Sequence, residues 1–265
     1  MNLGMRKSPL NELANICSIT MPESSEAFPF GIVNVVLFIV SAGAVLLSTP
    51  IVWSAVSIIH VVQFQSNISA NGLPQDWILQ EYKGKPSFSV SQNAVPPHLQ
   101  MMSSGETAFG FRKDIHVDIR AYPYLHWSWK ATKLPNGGDV RKKENDDQCI
   151  QVYFAIQIPG NGGLFPTPSS IAYIWDNEAP KNILVRSPQT MLGNVRYLVV
   201  RNGDDKLGTW FTEKRNILDD VHRAFGERLT NGGPVIVKGV LLFINTHHTR
   251  SDAECCVGNI YFSDQ

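Results

Sequence analysis

The sequence predicts a mainly β domain: an antiparallel β-sandwich of jelly-roll type with one packed helix, preceded by an N-terminal transmembrane helix. Three observations carry this. From Trp77 onward, short apolar runs of two-residue period alternate with turn residues. The stretches between most of these runs are too short for crossover helices, so antiparallel pairing in stacked sheets is the natural solution. Finally, residues 27–75 contain no Asp, Glu, Lys or Arg, and the run from Phe30 to Trp53 is apolar, long enough to cross a bilayer at about 20 residues.

Residues 1–26 form a polar tail, and residues 27–64 a transmembrane anchor or signal region. Pro50 can kink or end the membrane helix, and Ile51 to Phe64 continue apolar. Ala42-Gly43-Ala44 resembles a signal cleavage site, but cleavage there would leave the apolar "VLLSTPIVW" as a new terminus, which favours a retained anchor. Arg6 and Lys7 precede the span and place the N-terminus inside, so the domain faces the periplasm or the cell exterior. Residues 65–76, "QSNISANGLPQD", read as a linker.

The sandwich is assigned to residues 77–265. That length is one domain, able to bury a core without disulfide staples. "WILQEY" and "SFSVS" flank the turn Lys83-Gly84-Lys85-Pro86, and "TAFGFRKDIHVDIRAYP" holds one or two strands. In "YLHWSWKA", Leu125, Trp127, Trp129 and Ala131 share one face; in "CIQVYFAIQ", Ile150, Val152, Phe154 and Ile156 do the same. "SIAYIWD", "NVRYLVV", "GTWFTE", "VIVKGVLLFIN" and "CVGNIYF" complete the set. The one helix is "NILDDVHRAFGE": Asn216 caps it, Asp219 and Asp220 lie in its first turn, Ile217, Val221 and Phe225 form one face, and Gly226 is a C-terminal stop.

Lys+Arg and Asp+Glu both number 23. No basic excess points to nucleic acid. There is no GxSxG, P-loop or HExxH, and the Gly-rich "PGNGGLFPTPSS" lacks the strand-then-helix context of a phosphate loop. Cys149 could pair with Cys255 or Cys256 in an exported domain, or all could be small core residues, while Cys17 precedes the anchor.

The candidate site residues fall in four groups. Trp127, Trp129, Trp175 and Trp210 pack the core in the simplest reading, or offer flat platforms on which sugars stack. The loop Lys133–Gln148 carries Asp139, Arg141, Asp146 and Asp147. Two adjacent carboxylates repel unless a cation or an arginine intervenes, which makes Ca²⁺ an expectation there. Glu213 and Arg215 sit at a strand-to-helix junction, where an Arg can hold a carboxylate and Glu213 could pair with Asp147 for glycoside cleavage. His247, His248, Asp252 and Cys255 suit a transition metal by type, though their spacing matches no familiar site.

"YPYLHWSWK", "GGDVRKKENDDQCIQVYFA", "SSIAYIWDN", "GTWFTEKRNILDDVHRAFGE" and "VKGVLLFINTHHTRSDAECCVGNIYF" stand in an order that resembles a bacterial family catalogued as domain of unknown function 3047, over residues 75–265. The resemblance implies a secreted or envelope-associated protein and draws attention to Trp127, Trp129, Asp139, Asp146, Asp147, Tyr173, Trp175, Glu213, Arg215, Asn216 and Asp220. It brings no mechanism. Where the family is expected to read close to "TDTDNT" and "YGDI", this chain has "INTHHT" and "VGNI", with Asn245, His247, His248 and Asn259, a loss of charge that weakens the Ca²⁺ expectation. The expected function is a membrane-anchored, non-catalytic module for carbohydrate or another envelope component. The alternatives are a glycan-cleaving enzyme using Glu213 and an aspartate, and a purely structural envelope protein.

Overall fold

The structure is a computed structural model that describes residues 55–66, 68–158, 169–190, 194–229 and 232–265. The tail, Cys17, the apolar run up to residue 54 and the Gly-rich stretch 159–168 lie outside the described residues. Among the described residues no helix is long and apolar enough to cross a membrane.

In chain order the strands are β1 (Ile58–Val62), β2 (Ile78–Lys83), β3 (Ser87–Ser91), β4 (His98–Ser104), β5 (Ala108–Asp118), β6 (Tyr124–Lys133) and β7 (Ile150–Gln157). They continue as β8 (Ser169–Trp175), β9 (Leu184–Arg186), β10 (Val195–Arg201), β11 (Phe211–Asn216), β12 (Ile236–Asn245) and β13 (Asp252–Ser263), with helix α1 (Ile217–Phe225) between β11 and β12. A six-stranded sheet runs β11-β6-β13-β4-β3, with β1 also on β13; a seven-stranded sheet runs β2-β5-β12-β7-β8-β10-β9. The mainly β sandwich with one helix is therefore as expected.

The two-residue period decides what lies between the sheets. Leu125, Trp127, Trp129 and Ala131 of β6 face Ile150, Val152, Phe154 and Ile156 of β7 and Ile171, Tyr173 and Trp175 of β8 in one core. Aromatic rings knit the layers. Trp129 meets Trp175 at 5.7 Å, Trp127 meets Tyr173 at 5.1 Å, and Phe154 meets Phe262 at 5.8 Å. Each such pair contributes about 0.5–1.5 kcal/mol beyond its buried area.

Several expectations are corrected. The sandwich begins before residue 77, because β1 pairs antiparallel with β13 and Phe64 and Leu73 are buried. Part of the segment assigned to the membrane and the linker thus belongs to the domain. The same Ile-Val string that reads as membrane also suits a half-buried strand. The seven-stranded sheet is not purely antiparallel, since β10 runs parallel to β8. Residues 176–194 are long enough to return the chain to the starting edge, adding β9 on the way. The expected turn after β2 is present and carries the chain from one sheet to the other, and it needs Gly84 at φ +69°, where a Cβ would lie 2.7 Å from Thr107 Oγ1. Gly226 is right-handed, and α1 runs on into a 3-10 turn at Gly226–Arg228 instead of stopping. Cys149, Cys255 and Cys256 are buried free thiols.

The outer face of the seven-stranded sheet is also apolar. Tyr153, Ala155, Ala172, Ile174, Tyr197, Leu241 and Phe243 form a second cluster there, packed against Val140, Ala179 and Ile183 from the loops. Those loops deliver the polar groups described next.

Candidate functional site

The loop from Leu134 to Cys149 folds back over one end of the seven-stranded sheet, and its carboxylates are buried. Asp139 is 0% exposed. It accepts from Arg141 Nε at 2.7 Å and Nη2 at 2.9 Å, and from the Arg141 backbone N–H at 3.1 Å, with Lys142 Nζ at 3.2 Å. These hydrogen bonds to Arg141 hold its pKa down to about 2. Asp139 and Arg141 are thus a closed ion pair that anchors the loop.

Asp147, 0% exposed, is held without a countercharge of that kind. Its Oδ1 accepts from Asn245 Nδ2 at 2.8 Å, and its Oδ2 from the backbone N–H groups of His248 and Thr249 at 3.0 and 2.6 Å. Asp146 is buried among Gln148 and two other carboxylates. Burial first, then the charges of Asp147 and Asp176, push its pKa up to about 8. It is therefore a neutral acid at pH 7. The repulsion that made Ca²⁺ an expectation is relieved here by a proton and by N–H donors.

A polar chain runs inward from this pair. Gln148 Nε2 donates to Asp146 Oδ1 at 3.3 Å and Asp176 Oδ2 at 3.2 Å, and Gln151 Nε2 donates to Gln148 Oε1 at 2.6 Å and Asn245 Oδ1 at 2.8 Å. The Tyr153 hydroxyl donates to Gln151 Oε1 and lies 3.0 Å from that of Tyr197. Burial raises both phenols and the Asp176 carboxyl. Asp176, Gln148, Gln151, Tyr153 and Tyr197 were not among the sequence candidates, and Asn245 stood out only as a departure from the family pattern. For Gln151, Tyr153 and Tyr197 the one signal is polar atoms at alternate positions of otherwise apolar strands. Toward the surface the chain ends at His247 and His248, whose ring centroids are 3.8 Å apart. Burial lowers both, His247 to about 4.

Three of the tryptophans are not platforms. Trp127, Trp129 and Trp175 are at most 1% exposed and fill the core between the sheets. Trp210 is different. It precedes β11, while His98 begins β4, and β6 and β13 separate those strands. Even so, the two rings approach to 5.3 Å, and Lys130 Nζ lies 5.3 Å from the indole centroid. Trp210 therefore lies down across the outer face of the six-stranded sheet, half-buried. Small residues, Ser128 and Gly258, occupy that face beneath. Farther along it, His126 stacks on Tyr261 at 4.4 Å and 6°. A cleft of about 220 Å³ lined by His60, Gln63, Asp76, Trp77 and Lys113 opens at the N-terminal corner.

Glu213 and Arg215 do not form a ligand clamp. Glu213 accepts from Trp129 Nε1 and Arg201 Nε, while Arg215 grips Asp220 with two bonds of 2.7 Å, and Asp220 also accepts from Tyr173 at 2.9 Å. Glu213 lies on β11 of the six-stranded sheet, while Asp147 lies in the loop that leads into β7 of the seven-stranded sheet, and their partners differ. Asp252 and Cys255 leave the His pair as well: Asp252 pairs with Lys133 at 2.6 Å, and Cys255 faces the core.

No curated protein matches the chain. Among solved structures, a family 11 carbohydrate-binding module of cellulase Lic26A-Cel5E from Clostridium thermocellum is 11% identical, with 79% of this chain and 95% of that one covered and a TM-score of 0.40. The xyloglucanase domain of NopAA, a type three effector from Sinorhizobium fredii in complex with cellobiose, is 12% identical, with 71% and 92% covered and a TM-score of 0.37. Likeness this low assigns no role to any residue of this chain. A family model, in contrast, matches residues 75–261. That stretch holds the Asp139–Asp147 loop, the Trp127–Trp129 core and the β11–α1 junction together, and over it the chain belongs to the family described as protein of unknown function DUF3047.

Proposed function

We propose that the domain is a non-catalytic module that binds a carbohydrate of the cell envelope on the outer face of the six-stranded sheet. The observation that carries this reading is the place of Trp210, half-buried on the outer face of the six-stranded sheet, edge-on to His98 and with Lys130 Nζ over its ring. A pyranose presents an apolar C–H face to such an indole while its hydroxyls take hydrogen bonds from polar neighbours. Gln100 and Glu254, joined at 2.6 Å, and Ser128 supply such neighbours on the same face. Glycan cleavage is the weaker reading, because Glu213 is committed to Trp129 and Arg201. The apolar run Phe30–Trp53 supports a membrane anchor, with the domain outside the cytoplasm.

The test is thermal unfolding of wild type and Trp210→Ala against a panel of envelope oligosaccharides. A glycan at about 100 times its Kd adds about 2.7 kcal/mol to the wild type. Trp210→Ala is expected to keep the unliganded Tm within about 2 °C and lose the shift. Absence of a shift in the wild type with every glycan, or an undiminished shift in the variant, refutes this reading. A variant of the N-terminal cleft, Lys113→Ala, should bind as the wild type does. Extraction of the full chain from membranes with alkaline carbonate, which strips peripheral proteins, tests the anchor.

A further inference from the structure

We propose that Asp147, His247 and His248 bind a divalent transition-metal ion, with zinc as the first candidate. One ligand atom from each of the three residues lies within 4.8 Å of the other two. His247 Nδ1 is 3.8 Å from Asp147 Oδ1. Two ligands of one zinc ion at about 2.0–2.1 Å stand about 3.3 Å apart at the tetrahedral angle, so the His247–Asp147 pair must draw in by about 0.5 Å and the other pairs by no more than about 1.5 Å.

The fold prepares these groups. Asp147 comes at the end of the charged loop, and the two His come from the turn that follows β12. That turn is tied to the carboxylate by the backbone N–H groups of His248 and Thr249 and closed by Arg250 N–H to Thr246 O at 2.8 Å. Asn245 Nδ2 on Oδ1 orients the carboxylate further. Such outer partners position the ligands of metal sites. His247 Nδ1 is buried with no hydrogen-bond partner. A buried ring nitrogen beside a carboxylate oxygen, too far away to bond to it, is a ligand position that lacks only the ion. The His247 side chain is 30% exposed, which leaves an entry path and room for a water ligand.

The donor set selects among metals. Two imidazoles and one carboxylate suit Zn²⁺, Co²⁺, Ni²⁺ or Cu²⁺; Ca²⁺ and Mg²⁺ require shells of oxygen. Bound there, the ion would join the Leu134–Cys149 loop to the 246–250 turn.

The test titrates the tag-free full chain with Zn²⁺, with Ca²⁺ and with Co²⁺. The expected result is one equivalent of Zn²⁺ bound tightly, a Tm rise reversed by EDTA, and visible Co²⁺ bands of a nitrogen-oxygen site, with no response to Ca²⁺. His247→Ala and His248→Ala should each weaken Zn²⁺ binding by more than about 100-fold, the upper range for loss of an outer partner. Both rings are partly exposed, so both variants should keep the metal-free Tm, which shows that the loss is not unfolding. Asp147→Asn, at a buried position, serves only as a second variant. Failure of the wild type to bind stoichiometric Zn²⁺, a preference for Ca²⁺, or unchanged Zn²⁺ affinity in both His variants overturns the proposal.

Discussion

The indole N–H of Trp129 donates to Glu213 Oε1 at 3.0 Å, reaching from the core to a carboxylate on the edge strand. Arg201 Nε bonds the same oxygen at 2.7 Å. Replacing Glu213 with Ala orphans a buried donor and one bond of a guanidinium, at a cost of about 2–3 kcal/mol. We expect Glu213→Ala to lower Tm by about 4–12 °C and Glu213→Gln, which keeps an acceptor, to lose less. Thermal unfolding followed by circular dichroism checks this; an unchanged Tm in the Ala variant would contradict it.

A chain beginning at Trp77 should fare much worse than one beginning at Ala55. It loses Val61, Val62, Phe64 and Leu73 from the core and leaves residues 260–263 of β13 without β1. Full burial of four such side chains is worth about 6–12 kcal/mol before chain entropy is deducted. The bared strand is also a template for aggregation. The shorter chain should aggregate or melt near room temperature. Equal melting of the two would show that β1 contributes little.

Asp146 makes stability fall as pH rises. Its folded pKa is about 8, against an ordinary value near 4. The native state thus holds one extra proton between those values, and stability declines by about 1.4 kcal/mol per pH unit across that window. His247, lowered to about 4, acts in the opposite sense below its ordinary value, and His248 does likewise. The Asp146 slope is therefore free of theirs only from about pH 6.5 to 8. In chelator, Asp146→Asn should gain on the wild type steadily over that interval in urea unfolding. Parallel curves would mean that Asp146 is ionised in the fold.

Asp139 has the opposite sign. Arg141 depresses its pKa to about 2, so its contribution is complete above about pH 4 and is lost between about 4 and 2. Asp139→Asn should be less stable than wild type at pH 7, with the gap narrowing through that acid interval. A gap that stays constant from pH 5 to 2 would sink this assignment.

The strands facing the core were legible because one period served them. Leu125, Trp127, Trp129 and Ala131 alternate with polar residues, and the structure buries all four. The outer face of the seven-stranded sheet was not legible, because Tyr153, Ala155, Tyr197 and Phe243 make strands apolar on both sides and erase the alternation. β1 was hidden in a run whose composition fits a bilayer equally well. In the site, Asp146 and Asp147 stood out as adjacent charges, but Asn245, which bonds Asp147, and Asp176, which Gln148 links to Asp146, lie far off in sequence. The His pair was noticed with the wrong companions. Asp252 points outward to Lys133 across the sheet and Cys255 points inward, which no spacing rule distinguishes.

β13 is flanked by β6 on one side and by β4 and then β1 on the other. It also comes last in chain order among the described strands. Until residues 252–263 emerge, β3–β4 and β6–β11 are two separate ribbons and β1 has nothing to pair with. Synthesis adds about 5–20 residues per second, so the nascent chain carries unpaired edges and an open core until β13 has emerged. A stop codon at position 252 would therefore not trim the domain. It would remove the centre of one whole layer and leave a product that chaperones and proteases meet unfolded.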